Sequence, residues 1–217
     1  MSPDMLILLA KSLWETTYMV AVSGFISALV GVPLGIILAT TDKRHILENP
    51  PLNQVLGVIV NAARSTPFII LMVAIIPLTR LLVGTSIGTN AAIVPLSIAA
   101  IPFVARIVES ALKEVDYGVI EAAQAMGASP REIITKVLLP EAMPAIILGL
   151  TLTIISLIGY SAMAGAIGGG GLGDLAIRYG YQRFRADIML ITVIILIGQV
   201  QLVQSTGDYL ARRLNKK

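Results

Sequence analysis

Few side chains in this 217-residue chain are of the types that carry out chemistry. The sequence has no cysteine and a single histidine, His45, which excludes a disulfide framework, a thiolate nucleophile and a histidine metal cluster. It contains no Gly-Lys-Ser or Gly-Lys-Thr, so it lacks a phosphate-binding P-loop. Gly168, Gly170 and Gly173 match the dinucleotide-binding spacing G-x-G-x-x-G, but no predicted strand precedes them. We therefore predict a non-enzymatic chain with no metal or cofactor of its own.

A mildly polar stripe lies in an apolar run of the C-terminal half. Ser156, Tyr160 and Met163 follow one another at spacings of four and three, which places them on one face of a helix. Their hydroxyls and thioether would suit the wall of a pathway for a small solute. Ordinary helix packing, with the serine bonded to its own helix, explains the pattern equally well.

Arg64 is the charge that lies deepest in an apolar run. It falls about nine residues into that run, roughly 13 Å along a helix. Arginines at such depth usually face a protein interior or water, and are then candidates for function. The alternative, which we favour from the sequence, is that the span begins later and Arg64 anchors its cytoplasmic end.

The elements that must position these residues are membrane helices. The chain is 56% hydrophobic and only 13% charged, about half the usual charge of a soluble domain. About 20 apolar residues span a bilayer core. The sequence therefore predicts an all-α integral membrane protein, one transmembrane domain over residues 1–217, with five transmembrane helices. Their predicted bounds are 17–40, 55–78, 90–112, 144–164 and 188–205.

The loops indicate the orientation. With the N-terminus outside and the C-terminus cytoplasmic, most lysines and arginines that flank the spans fall on the cytoplasmic side, as the positive-inside rule requires. The net charge of +3 is explained by these flanks. No basic patch is interleaved with aromatic residues, so nucleic acid is not a predicted partner.

Two groups of glycines predict close helix approach. Gly31 and Gly35 form a G-x-x-x-G in the first predicted span, a pattern typical of packing faces. The glycine-rich run 165–173 predicts a bend after the fourth span, where backbone segments approach closely. This bend is either part of an outer gate or a plain loop.

The longest segment outside the spans, 113–143, has strong helix signals. A short helix is predicted over 116–126, with Gly127 as its stop. Ser129 as N-cap, Pro130 at the first position and Glu132 three residues after the cap predict a second helix that ends before Pro140. Two such helices on the cytoplasmic side either offer a surface to a partner or cover the end of the bundle itself.

The same segment resembles the EAA loop of bacterial ABC importer permeases. Glu121-Ala122-Ala123, three residues, Gly127, nine residues, Val137, one residue and Leu139-Pro140 match that motif, with valine where isoleucine is usual. The resemblance implies a pair of short cytoplasmic coupling helices that dock on a separate ATP-hydrolysing subunit. The docking residues it implies are Glu121, Ala122, Ala123, Met126, Gly127, Ala128, Ser129 and Pro130.

Further segments are similar to the methionine-import permeases of this family, over roughly residues 14–214. They are 64–71, 79–95, 102–106 and 159–163. The resemblance implies a homodimer in the lipid of a bacterial inner membrane. It also implies two ATP-binding subunits and an extracytoplasmic methionine-binding protein as partners.

Three alternative functions are open to an apolar chain of this kind. An importer permease for another small solute would share every feature above. An ion-coupled secondary transporter would need acidic residues near the middle of a span, yet Glu109 lies near the end of one and no other acid lies deeper. A membrane enzyme would need a paired acid and base or a metal site, and the sequence offers neither.

Overall fold

The computed structural model describes residues 3–215, and over them the chain is all-helical, with 86% helix and no strand. The helices are α1 Pro3–Thr40, α2 Pro50–Ser65, α3 Phe68–Ala74, α4 Ile76–Val83, α5 Thr89–Lys113, α6 Tyr117–Ala125, α7 Pro130–Glu132, α8 Leu139–Ala164, α9 Gly171–Leu175 and α10 Ala186–Leu214. Short π-helical segments, Ile133–Leu138, Gly165–Gly169 and Ala176–Tyr181, join or extend the last four.

Four helical runs are long and apolar enough to cross a membrane. They are α1, α5, the continuous run Pro130–Gly169 and α10. Helices α2 and α3 make a fifth only when the pair is counted as one span, and the two are bent by 101° relative to each other. The all-helical membrane class predicted from the sequence is confirmed.

The span predicted over 55–78 is not one continuous helix. The chain leaves the helix at Thr66, whose backbone is extended (φ −82°, ψ 121°) because Pro67 excludes the helical conformation from the residue before it. A second interruption follows at Ile75, before Pro77. Each break therefore lies within two residues of a proline in the sequence.

Helix α1 extends well beyond the span predicted over 17–40. It begins at Pro3, and its 38 residues would reach about 57 Å at 1.5 Å per residue, against a hydrocarbon core of about 30 Å. Within the extra turns, the exposed Lys11 forms an ion pair of 3.9 Å with the partly buried Glu15, four residues later on the same face. Leu9 packs against Leu175 and Ile188, which fixes this extension to the bundle.

The centre of the bundle is the contact between α1 and α5. Gly31 and Gly35 lie against Val104 and Val108 with no room for a side chain, so the predicted G-x-x-x-G packing face is confirmed. One turn earlier, the Ser27 hydroxyl lies 3.2 Å from the Ser97 carbonyl oxygen across the same contact. Small residues at every fourth position bring the two backbones together.

The second predicted helix of the 113–143 segment does not end before Pro140. It runs from Pro130 through a π-helical segment, Ile133–Leu138, directly into α8. A proline in a regular α-helix clashes with the carbonyl four residues earlier, and a wider π turn immediately before Pro140 changes that spacing. The result is a 40-residue run in which the segment and a membrane helix are one body.

The predicted bend after the fourth span is confirmed. Gly168, Gly170 and Gly171 all have positive φ, and the chain turns back there into α9. Two side chains of α1 bond the start of α9. The Glu15 carboxylate accepts from the Gly171 N–H at 2.9 Å, and the Thr16 hydroxyl accepts from the Leu172 N–H at 2.8 Å.

Candidate functional site

Helix α6 ends in a tight reversal at Gly127. The Gly127 N–H donates to the Gln124 carbonyl (2.9 Å) and the Ala128 N–H donates to the Ala123 carbonyl (3.1 Å), the bond pattern of a Schellman motif. Gly127 has φ +78°, a conformation that residues with a Cβ rarely adopt. The predicted role of Gly127 as the helix stop is therefore confirmed.

The helix that follows begins with a complete capping box. The Ser129 hydroxyl accepts from the Glu132 N–H (3.4 Å), and the Glu132 carboxylate accepts from the Ser129 N–H (3.1 Å), as the sequence predicts. The carboxylate also accepts from Lys136 at 2.9 Å. The Lys136 hydrogen bond, followed by those from Ser129, lowers the pKa of Glu132 to about 2. The segment is thus held rigidly at its turn.

This segment has one face against the bundle and one face free. Ile120 and Ala123 of α6 are buried in the same apolar cluster as Ile133 and Leu138. The segment therefore does cover the end of the bundle, which was one of the two interpretations of its helices. Its outer face nevertheless presents apolar side chains, with Met126 82% exposed and Val119 45% exposed.

Of the residues expected to dock on a partner, most lie on the free face and two do not. Ala123 is 4% exposed and faces the bundle, and Ala128 is half-buried. The small side chain at Ala123 allows α6 to approach the core closely. The exposed members are Glu121, Ala122, Met126, Gly127, Ser129 and Pro130.

A chain of charges lies beneath this surface. The buried Glu109 carboxylate accepts from Arg106 at 2.5 Å and from Lys113 at 2.9 Å, and Lys113 also pairs with Asp42 at 2.5 Å. Arg106 in turn donates to the Gly57 carbonyl of α2 at 3.1 Å. The network ties α5 to α2 and to the loop after α1.

Lys113 favours the charged form of Asp42, its partner at the partly exposed end of that network. Its hydrogen bond, followed by the Lys43 N–H, lowers the pKa of Asp42. Our sequence interpretation missed the cluster as a whole. The signal was available, because Arg106, Glu109 and Lys113 recur at spacings of three and four on one helix face.

A cavity of about 140 Å³ lies beside the break between α2 and α3. Ser156 and Tyr160 both line it, whereas Met163, the third member of the predicted stripe, does not and is 47% exposed. The Tyr160 ring stacks on Phe68 of α3 at 4.7 Å between centroids. The Ser156 hydroxyl donates to the Leu152 carbonyl at 2.9 Å, the bond expected if the stripe served helix packing.

Arg64 lies at the C-terminal end of α2 and lines the same cavity. Its guanidinium is 5.7 Å from the centroid of the Phe103 ring. Helix precedes Arg64 for 14 residues and the 101° bend follows it. The interpretation favoured from the sequence, that the span begins later and Arg64 anchors its cytoplasmic end, stays a prediction. Its place on the cavity wall agrees with the other interpretation, a charge that faces a protein interior or water.

No cluster of potential metal ligands occurs within residues 3–215. The structure offers two candidate sites. One is the exposed outer face of the 113–143 segment, and the other is the cavity that Arg64 lines.

The model of the family described as the inner membrane component of binding-protein-dependent transport systems matches residues 31–216. A probable D-methionine transport system permease protein of Vibrio cholerae is 59% identical over 210 residues, 97% of this chain and 93% of that protein. Its counterpart in Pasteurella multocida is 50% identical over the whole of both chains. The D-methionine transport system permease protein of Escherichia coli K12 is 52% identical over 165 residues, 76% of each.

Solved structures agree with these relatives. A chain of the MetNI methionine ABC transporter, in an inward-facing conformation, superimposes with a TM-score of 0.98 at 48% identity and covers 100% of both chains. A chain of an amino acid ABC transporter has a TM-score of 0.79 at 21% identity, over 97% of this chain and 95% of that one, and shares the fold.

Proposed function

Because this chain belongs to the family of inner membrane components of binding-protein-dependent transport systems, we propose that it is the permease subunit of an ATP-driven methionine importer. The observation that carries the proposal is the full-length likeness, at 48% identity, to the membrane chain of a methionine ABC transporter. The nearest alternative within the family is import of a different small solute.

The proposed topology has five membrane spans in a bacterial inner membrane, multi-pass, with the N-terminus outside and the C-terminus cytoplasmic. The bent pair α2 and α3 counts as one of the five, and the whole chain forms one transmembrane domain. Under this topology the segment 113–143 is cytoplasmic. Helix α6 and the start of the run at Pro130 are then the two short coupling helices.

The coupling helices dock on the ATP-binding subunit, which holds the ATP and hydrolyses it. Rigid construction supports this role: the Schellman turn at Gly127 and the capping box at Ser129 fix the shape of the segment. The continuous helix from Pro130 to Gly169 supports it further, because a push on the exposed turn moves a membrane helix directly. Glu121, on the exposed face, supplies a carboxylate for a charge-assisted hydrogen bond.

The assembly contains two copies of this chain, two ATP-binding subunits and an extracytoplasmic methionine-binding protein. ATP draws the two ATPase subunits together, and the coupling helices transmit that movement to the spans. The permease then alternates between outward and inward access. Methionine released by the binding protein crosses between the two permease copies, past the face that carries Ser156, Tyr160 and Met163.

Uptake in cells tests this function. A bacterium that requires methionine and lacks its own importers receives the genes for this chain, its ATPase and its binding protein. We expect uptake of radiolabelled methionine, competed by unlabelled methionine and absent when any one of the three genes is left out. Uptake of another solute that methionine does not compete would contradict the substrate assignment and favour the alternative importer.

A further inference from the structure

Arg64 lies in the bent pair α2 and α3, the possible fifth span, and it has no acidic partner within residues 3–215. Arg106, one turn beyond Phe103 on α5, shows the contrast: it bonds the Glu109 carboxylate and the Gly57 carbonyl. Arg64 has only the Phe103 ring, 5.7 Å away. A guanidinium within a membrane helix is costly unless a partner or a ligand offsets that cost.

The surroundings of Arg64 are built as a cavity. Its volume, about 140 Å³, far exceeds the about 10–15 Å³ that a single water requires. Thr66, in the extended break after α2, lies on its wall. Irregular backbone at membrane depth is tolerated where it lines such a cavity, and broken helices commonly form solute sites in transporters.

Two hydroxyl groups of α8 on the wall of this cavity can accept hydrogen bonds. The Thr153 hydroxyl donates to the Gly149 carbonyl at 2.9 Å, and the Ser156 hydroxyl donates to the Leu152 carbonyl at 2.9 Å. Each hydroxyl has thereby used its hydrogen and retains free lone pairs. The cavity thus combines a cation that donates with oxygen atoms that accept.

Aromatic rings complete the wall. Phe68 and Tyr160 are stacked at an interplanar angle of 11°, with Phe103 beside Arg64. Ring faces and edges make favourable contacts with a thioether sulfur and with apolar side chains. A zwitterion with an apolar tail has the chemistry that matches all three kinds of group.

We propose that this cavity is a transit site for the transported amino acid, in which the Arg64 guanidinium binds the α-carboxylate. The planar fork of arginine donates two parallel hydrogen bonds to a carboxylate. The ammonium group donates to the Thr153 and Ser156 oxygens, and the side chain lies against the Phe68–Tyr160 pair. This inference rests on the proposed function, because it assigns a binding residue to that transport.

The test uses the full complex, with its ATPase and binding protein, in proteoliposomes. Methionine uptake and ATP hydrolysis are measured together for wild type, Arg64→Gln and Arg64→Lys. Arg80→Gln is the matched control, because Arg80 lies at the end of α4 and bonds only the Ser86 hydroxyl, at 3.3 Å. We expect Arg64→Gln to lower uptake at least ten-fold while ATP hydrolysis stays within two-fold of wild type.

Arg64→Lys keeps the charge without the fork and should give an intermediate loss of uptake, while Arg80→Gln transports normally. Normal uptake by Arg64→Gln would overturn the inference. So would an equal loss of uptake and ATP hydrolysis in Arg64→Lys, since that pattern indicates a structural role. If wild type itself transports no methionine, the proposed function fails first, which separates the two failures.

Discussion

Gly35 of α1 lies so close to Val108 of α5 that a Cβ at position 35 would be 2.6 Å from the Val108 Cβ. It would also be 2.5 Å from the Ala105 carbonyl oxygen. Carbon atoms do not approach so closely, and a backbone oxygen cannot move without displacing its helix. This contact fixes the separation of the two helices at the centre of the bundle.

The first prediction follows from that contact. Gly35→Ala should push α1 from α5 and destabilise the protein by about 1–3 kcal/mol, the usual cost of overpacking. Gly24→Ala is the control on the same helix, because its Cβ would meet Leu157 at an ordinary 3.7 Å. Thermal unfolding in nanodiscs should show a midpoint lowered by several degrees for position 35 alone. Equal midpoints for the two variants would refute the close packing.

The second prediction concerns the buried carboxylate of α5. Glu109→Ala leaves Arg106 and Lys113 without their shared acceptor, and should cost about 3 kcal/mol, the lower end for one partner of a buried ion pair. Lys11→Ala removes the exposed partner of the 3.9 Å pair with Glu15 and should cost at most about 1 kcal/mol. The same unfolding measurement compares the two. Equal losses of unfolding free energy in the two variants would mean that the Glu109 network stabilises the protein no more than the Lys11–Glu15 pair does.

The third prediction concerns the bend before α9. A Cβ at Gly173 would lie 2.4 Å from both the Cα and the carbonyl oxygen of Ala162, so Gly173→Ala must separate two backbone segments. We expect poor assembly or loss of uptake. Gly198→Ala, where no atom lies within 4 Å of the added Cβ, should behave as wild type. Normal assembly and transport by Gly173→Ala would contradict the packing at the bend.

The fourth prediction is a pH dependence at the capping box. Hydrogen bonds from Lys136 and Ser129 lower the pKa of Glu132 from 4.5 to about 2. A depressed acid stabilises the folded state fully above its unfolded pKa, and that stabilisation is lost as the pH falls from 4.5 through about 2. A carboxyl NMR titration in nanodiscs should give a midpoint near 2, raised towards 4.5 in Lys136→Ala. A wild-type midpoint near 4.5 would contradict the hydrogen bonds that Lys136 and Ser129 donate to this carboxylate.

Local signals predicted the turns of this protein well. Gly127, Ser129 and Pro130 act within a few residues of themselves, so the Schellman turn and the capping box were readable from the sequence alone. Gly31 and Gly35 similarly predicted a close helix contact, because a side chain at either position would collide with the neighbouring helix α5.

Long-range placement was less predictable. A proline such as Pro67 can produce a mild kink, but the helices on its two sides are bent by 101° relative to each other. The size of that bend depends on distant parts of the chain, because residues of α8 also line the cavity beside the break. The cavity beside Arg64 depends on the same break, so the spacing of the sequence did not reveal it. Pro140 does not end its helix, because the π-helical segment before it lets the helix continue. None of the local sequence patterns that we used predicts a π turn.

The central claim is that this chain supplies the membrane pathway while a separate subunit supplies the energy. Methionine uptake into proteoliposomes tests it most directly, with this chain reconstituted alone or with its ATPase and binding protein. We predict uptake only in the full complex, only with ATP, and none from a proton gradient across liposomes that contain this chain alone. Uptake driven by a proton gradient with this chain alone would contradict the account and identify an ion-coupled transporter.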